Sequence, residues 1–229
     1  MINVSPWDAL LQEYVDRFGR VDYARWQREQ PDAIGQWLAT LAFNPRANAD
    51  EQLALWINLY NAFTIESILE RYPIPSILPT VLGLPNWLAF LWFFMRRKHH
   101  AFNQTYSLSQ IENQILREQL HDPRIHFAIV CASIGCPLLR NEAYDPQRVR
   151  QQLEDDAQRF MQNPDKIRYD AQQDVLYCSK ILKWYRKDFL AVSPSIPDYV
   201  GAYLKQPLTA ATSIVYLDYD WSLNQRISS

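Results

Sequence analysis

Leu55-Trp56-Ile57-Asn58-Leu59-Tyr60-Asn61-Ala62-Phe63 lies in the middle of a largely apolar stretch that runs from about Asp50 to Arg71 and stops at Tyr72-Pro73. The residue before a proline is driven out of helical geometry, so the stretch reads as one long helix with its end at that pair. Asn58 and Asn61 fall on one face at a spacing of three, and Ala54 and Ala62 share that face. Amides beside small residues in an apolar helix have two uses. They can lock a neighbouring segment by pairing with its backbone, because a buried amide left unpaired is costly. They can also point, together with Tyr60, at a substrate carbonyl or an oxyanion.

Working outward, Ser5-Pro6 offers a cap and a first-turn proline for an earlier helix that ends at Gly19, and Ala33 to Phe43 forms another before Asn44-Pro45. Ser107-Leu108-Ser109-Gln110 resembles a capping box for a helix reaching Leu120. Arg124 to Ala132 has the β-branched and apolar content of a buried strand, and it leads into the loop Ser133-Ile134-Gly135-Cys136-Pro137. Asp145-Pro146 caps a helix to about Met161, Ile167–Tyr169 and Val175–Cys178 read as a hairpin, and helices over Ile181–Leu190 and Pro197–Leu204 precede a last strand, Ser213–Leu217. Helices early and strands late predict an α+β fold, a helical N-terminal half packed on a small, mainly antiparallel sheet. No repeat or linker divides the chain, so residues 1–229 read as one domain, with a helical extension over 1–47, a core over 48–229 and an aromatic insertion at about 81–100.

Acids and bases are interspersed to a net charge of -2, without the basic stripe that a nucleic-acid backbone demands. The start, Met1 to Asp8, lacks the charged and apolar regions of an export signal, and three cysteines suit a reducing compartment, so the expected location is cytoplasmic. Only five glycines occur and none forms a phosphate-cradling loop, so no cofactor is expected.

Val81 to Met95 is strongly apolar and precedes Arg96-Arg97-Lys98, but it is too short for a bilayer span and is broken by Pro85 and Asn86. The expectation is a helix buried in the domain. The alternative is a surface that meets a membrane or another protein through Trp87, Trp92 and Phe93.

His126, Cys131 and Cys136 stand within a dozen residues, and a thiol beside an imidazole is the minimum for a cysteine nucleophile. In an unbroken strand, however, His126 and Cys131 would point to opposite faces, which makes Cys136, on its Gly-Cys-Pro turn, the better thiol. Asp220 or Asp188 is the candidate acid to orient the histidine. No metal site is expected, since no pair among His126, Cys131, Cys136 and Cys178 has the two-residue gap of structural zinc sites. The commoner roles of such residues are buried small hydrophobe, satisfied core histidine and chain-end anchor.

Taken in order, Trp56 to Ala62, Tyr106 to Glu112, Asp122 to Ala128, Cys131 to Pro137, Trp184-Tyr185 with Asp188-Phe189, and Tyr219 to Asn224 resemble the family catalogued as domain of unknown function 547. The resemblance covers most of the chain after about residue 50 and implies no established activity. Members often carry a histidine where this chain has Asn113, and the segment from Trp87 to Met95 is longer and more apolar than their usual connection. In some relatives the domain is joined to coiled-coil or glutaredoxin-like modules. The long helix followed by a histidine-bearing strand is similar to the papain and transglutaminase-like layout, whose helix-start cysteine is missing here. The residues themselves suggest a polar cleft where the long helix meets the His126 strand and the Cys136 loop, binding a small molecule or peptide. Thiol-dependent acyl transfer or hydrolysis is the enzymatic version, and a binding or scaffold module, using the cleft or the aromatic surface, is the other. A Cys131–Cys136 redox pair ranks after both.

Overall fold

A computed structural model describes residues 3–82, 84–96 and 98–226; Gly83 and Arg97 of the aromatic segment and its basic end, and the Met1-Ile2 start, lie outside the described residues. Three short helices open the chain: α1 (Ser5–Tyr14), α2 (Tyr23–Glu29) and α3 (Ala33–Ala39). Ser5 lies inside α1 and Val4 takes the capping position. The second helix is capped by Asp22, whose carboxylate accepts from the Arg25 amide at 3.1 Å.

Helix α4 (Ala49–Leu69) is the axis of the molecule. It begins in a capping box: the Asn48 side chain accepts from the Asp50 and Glu51 amides, and Glu51 accepts from the Asn48 amide. Every residue from Leu53 through Ile65 is buried, as expected of a helix that is apolar on all sides.

Two small hairpins flank the aromatic helix. Strand β1 (Thr80–Val81) pairs with β2 (Leu84–Pro85), α5 (Trp87–Met95) follows, and β3 (His99–Ala101) pairs with β4 (Gln104–Tyr106). Helix α5 is not buried: Phe93 is, but Leu88 is 81 % exposed and Trp92 53 %. The nine-residue helix is apolar all round, so only one side can face the core. Helix α6 (Leu108–Gln110), capped by Ser107, continues as a π-helical stretch over Ile111–Arg117 and stops short of Leu120.

The segment expected to be a strand from Arg124 to Ala132 is instead a 3-10 turn, Pro123–Phe127, followed by irregular chain. Asp122 caps that turn through the Arg124 amide at 3.0 Å, and Pro123 fits its first position. Beyond it the backbone pairs with an amide side chain rather than with a strand. Asn61 Nδ2 donates to the Ala128 carbonyl and the Val130 N–H donates to Asn61 Oδ1, both at 3.0 Å. The apolar composition of this segment reflects burial, which periodicity alone does not distinguish from strand.

Helix α7 (Val149–Met161) leads to the sheet, in which β5 (Ile167–Asp170) is antiparallel to β6 (Val175–Cys178). Helices α8 (Lys180–Trp184), α9 (Arg186–Leu190) and α10 (Ile196–Leu204) intervene before β7 (Ser213–Tyr216), which runs parallel to β6. The sheet is therefore mixed rather than mainly antiparallel, because the connection through three helices is long enough to return the chain in the same direction. The fold is α+β.

Asn61→Ala should leave the Ala128 carbonyl and the Val130 N–H buried without partners and cost about 3 kcal/mol, at the upper end for lost buried hydrogen bonds. Urea unfolding monitored by tryptophan fluorescence should show that loss as a lower midpoint with little change in slope.

Candidate functional site

Asn58 and Asn61 both spend their amides on the backbone. Asn58 donates to the Tyr144 carbonyl at 2.8 Å and accepts from the Tyr144 amide at 2.9 Å, with a further contact from Trp7 Nε1 at 3.2 Å. Neither asparagine lines the aromatic-walled cleft beside α5; Tyr60, on the same helix as the asparagines, does.

That cleft is about 380 Å³ and largely apolar. Trp87, Phe90, Leu91, Phe94, Trp184 and Trp221 wall it, and Glu112, Asn113, His126, Cys131, Cys136, Tyr185 and Tyr219 supply its polar side. The C-terminal segment builds much of this arrangement. Ile134 and Gly135 donate their amides to the carbonyls of Ser222 (2.8 Å) and Asp220 (2.7 Å), while the Asn224 amide donates to the Ala132 carbonyl at 3.0 Å. Ala132 itself sits at φ 62°, the left-handed region that costs a non-glycine residue on the order of 1 kcal/mol. This turn brings the two ends of the loop together. A Cβ on Gly135 would lie 2.7 Å from the Tyr219 ring, so only glycine lets that tyrosine pass.

The sulfurs of Cys131 and Cys136 approach to 2.6 Å, and both cysteines are free thiols. Around Cys136 Sγ stand four donors: the Cys131 thiol, the Cys131 amide at 3.0 Å, the Tyr219 hydroxyl at 3.2 Å and the Ser133 hydroxyl at 3.4 Å. Burial pushes the Cys136 thiol up, but those donors outweigh it and bring it down to about 6. Cys131 goes the other way, since burial and the adjacent Cys136 sulfur hold it well above the ordinary thiol range. Tyr219 is likewise raised by burial and by both cysteines, so it keeps its proton to donate. Cys178 lies apart in β6, and burial pushes it up to about 12.

His126 lies on the same cleft but makes no hydrogen bond to either sulfur among the described residues. Its Nε2 meets Asp188 Oδ2 at 2.7 Å, and Arg117 grips that carboxylate at 2.6 and 3.0 Å. Burial would raise Asp188, yet His126 and Arg117 hold it well below the usual carboxylate range. Burial lowers His126 itself, so the ring is neutral at neutral pH. With Asp188 ionised, Nε2 carries the proton, and the lone pair sits on Nδ1, which has no partner among the described residues. The ring is stacked on Tyr185 at 3.8 Å.

Asp188 is therefore the acid paired with His126. Asp220 is exposed, and its carboxylate accepts from the Ser222 amide at 2.9 Å, because its backbone is committed to the Cys136 loop. The structure also adds Glu112, which accepts from Tyr185 at 2.5 Å and Tyr60 at 3.1 Å. A signal for it was available: Leu108, Ile111, Glu112 and Ile115 share one helical face, so the acid occupies a core position. Asn113, where relatives often carry histidine, is tied to Arg117 and Ser109. Among the described residues no group of three or more His, Cys, Asp or Glu is arranged to hold a metal ion.

A family model described as "Protein of unknown function, DUF547" matches residues 45–161. The chain belongs to that family. The matched span contains α4, Glu112, His126 and both cleft cysteines, while Asp188 and Tyr219 lie beyond it. No curated protein and no solved structure matches the chain.

The donors, rather than the imidazole, set the acidity of Cys136. Iodoacetamide labelling of Cys136 across pH should inflect near 6, and the inflection should rise in Tyr219→Phe while staying put in a folded His126→Ala variant. Mass spectrometry of each cysteine would show it, with Cys178 unlabelled in the native protein. A shift in His126→Ala equal to that in Tyr219→Phe would return the activating role to the histidine.

Proposed function

We propose that the cleft is the active site of a thiol-dependent acyl transferase or hydrolase acting on a small molecule or peptide with an apolar body. The observation that supports this most directly is the Cys136 sulfur, set among four donors at the polar end of an apolar cleft. In the reaction, the Cys136 thiolate forms a bond to the acyl carbon, the bond to the leaving group breaks, and that group departs with the electron pair and takes a proton from solvent. Water then attacks the thioester, gives its proton to His126 Nδ1, and Cys136 leaves as thiolate. Asp188 keeps its charge throughout and holds the imidazole in the tautomer that accepts at Nδ1. An amine or alcohol in place of water gives transfer instead of hydrolysis. A reducing setting such as the cytoplasm would keep both sulfurs as thiols.

The 2.6 Å sulfur contact favours a second reading, in which Cys131 and Cys136 work as a dithiol that exchanges with a disulfide substrate. A neutral imidazole paired with an acid has no part in that exchange, which is why the acyl reading ranks first.

The two readings separate in cysteine variants. With a chain-length series of nitrophenyl esters, Cys136→Ser should lose about 10³-fold in rate and His126→Ala about 10²-fold, while Cys131→Ser keeps turning over. Loss of disulfide exchange in both single cysteine variants, with no ester turnover in any protein, would establish the dithiol reading instead.

A further inference from the structure

Helix α5 has no charged residue from Trp87 to Met95, and among the described residues no helix is long and apolar enough to cross a membrane. Its outward side is nevertheless bare: Leu88 is 81 % exposed, Met95 63 % and Trp92 53 %, and Leu82 and Leu84 at the hairpin that leads into the helix are exposed as well. Leu88, Trp92 and Met95 fall on one helical face, and large apolar side chains grouped in this way mark an interaction site rather than scattered surface residues. One cation, Arg96, stands against an exposed ring of the patch, and a second, Arg71, against the buried Phe93. Exposed Arg96 lies 4.6 Å from the Trp92 ring centroid and exposed Arg71 4.9 Å from that of Phe93, and neither forms an ion pair among the described residues. Lys98, in contrast, is held by Glu70.

A second copy of this chain would bring arginine against arginine across such a face. An anionic lipid surface would meet the Arg96 charge and receive the tryptophans at the depth they prefer. The face is also continuous with the cleft, because Trp87 and Leu91 are half exposed on the patch and line the cleft wall. Phe90 and Trp87 lean on Trp221, at 4.9 and 5.8 Å, which in turn contacts Tyr219 at 4.4 Å beside the thiols. One aromatic train thus connects the patch to the sulfurs.

We propose that α5, with Leu82 and Leu84, docks this protein on an anionic lipid surface and sets the mouth of the cleft against it. Resting on the acyl-transfer reading, the substrate class is an amphiphile held in that surface, its chain running along the aromatic wall and its acyl linkage reaching Cys136.

The test is flotation with phosphatidylcholine vesicles, with and without phosphatidylglycerol. Wild type should float with the anionic vesicles and much less with neutral ones. Leu88→Ser, Trp92→Ser and Met95→Ser together change exposed residues outside the cleft lining, and should lower partitioning more than about tenfold while leaving hydrolysis of a short soluble ester unchanged. Arg96→Gln should lower it about fivefold on anionic vesicles alone, the effect of one cation near such a surface. Absence of wild-type flotation on the anionic vesicles, equal flotation of the triple variant, or a dimer that the triple variant dissolves would overturn the docking. Cys136→Ser should float like wild type, so docking without ester hydrolysis refutes only the reaction, and hydrolysis without flotation refutes only the docking. A long-chain ester embedded in vesicles should be hydrolysed faster by wild type than by the triple variant, and equal rates would overturn the substrate class.

Discussion

The pairing of Asn61 with the backbone of Ala128 and Val130 is the constraint on which the site depends. An irregular segment threading a core has no strand neighbour for its peptide groups, and each one left unpaired costs roughly 1–3 kcal/mol. The asparagine amide acts as that neighbour, one donor and one acceptor in the same plane. Asn58 repeats the device one turn earlier at Tyr144, whose hydroxyl continues to Asp156 at 2.7 Å. Because α4 is buried on every side, it serves as a rigid rail, and the chain leading to Cys131 is fixed against it.

The far end of the thiol loop is held by the C-terminal segment. Amides of Ile134 and Gly135 dock on Ser222 and Asp220, and Tyr23 anchors Asn224 through a 2.8 Å hydrogen bond. Secured at both ends, the loop accepts a left-handed Ala132 and brings two thiols into contact. Their environments then drive their acidities apart: the sulfur that receives the donors is brought down, and the other, held up by burial and by its neighbour, is one of those donors. Two like groups made unlike by surroundings is the usual physical route to distinct roles in one site. Across the cleft, Arg117, Asp188 and His126 form a second polarised line, ending in a neutral imidazole nitrogen.

Much of this architecture was legible in the chain itself. The long helix, its asparagine pair, the late hairpin and the loop bearing Cys136 follow from local rules: capping, the exclusion of helix before proline, and periodicity. The helical face carrying Glu112 was readable in the same way. The structural use of Asn58 and Asn61 was one of two readings that their chemistry allowed, and the burial of both sides of α4 selects it.

What the chain alone left open concerns partners distant in sequence. An apolar run such as Arg124 to Ala132 specifies burial, whereas its conformation depends on what supplies its hydrogen bonds, and an asparagine some seventy residues away does so here. The acid beside His126 is Asp188 rather than Asp220 because Arg117 and the stacked Tyr185 converge there, a convergence that no local pattern encodes. The exposure of α5 is of the same kind. A helix apolar on all sides says that it avoids water, but only the packing of its neighbours determines that one side is covered and the other is not.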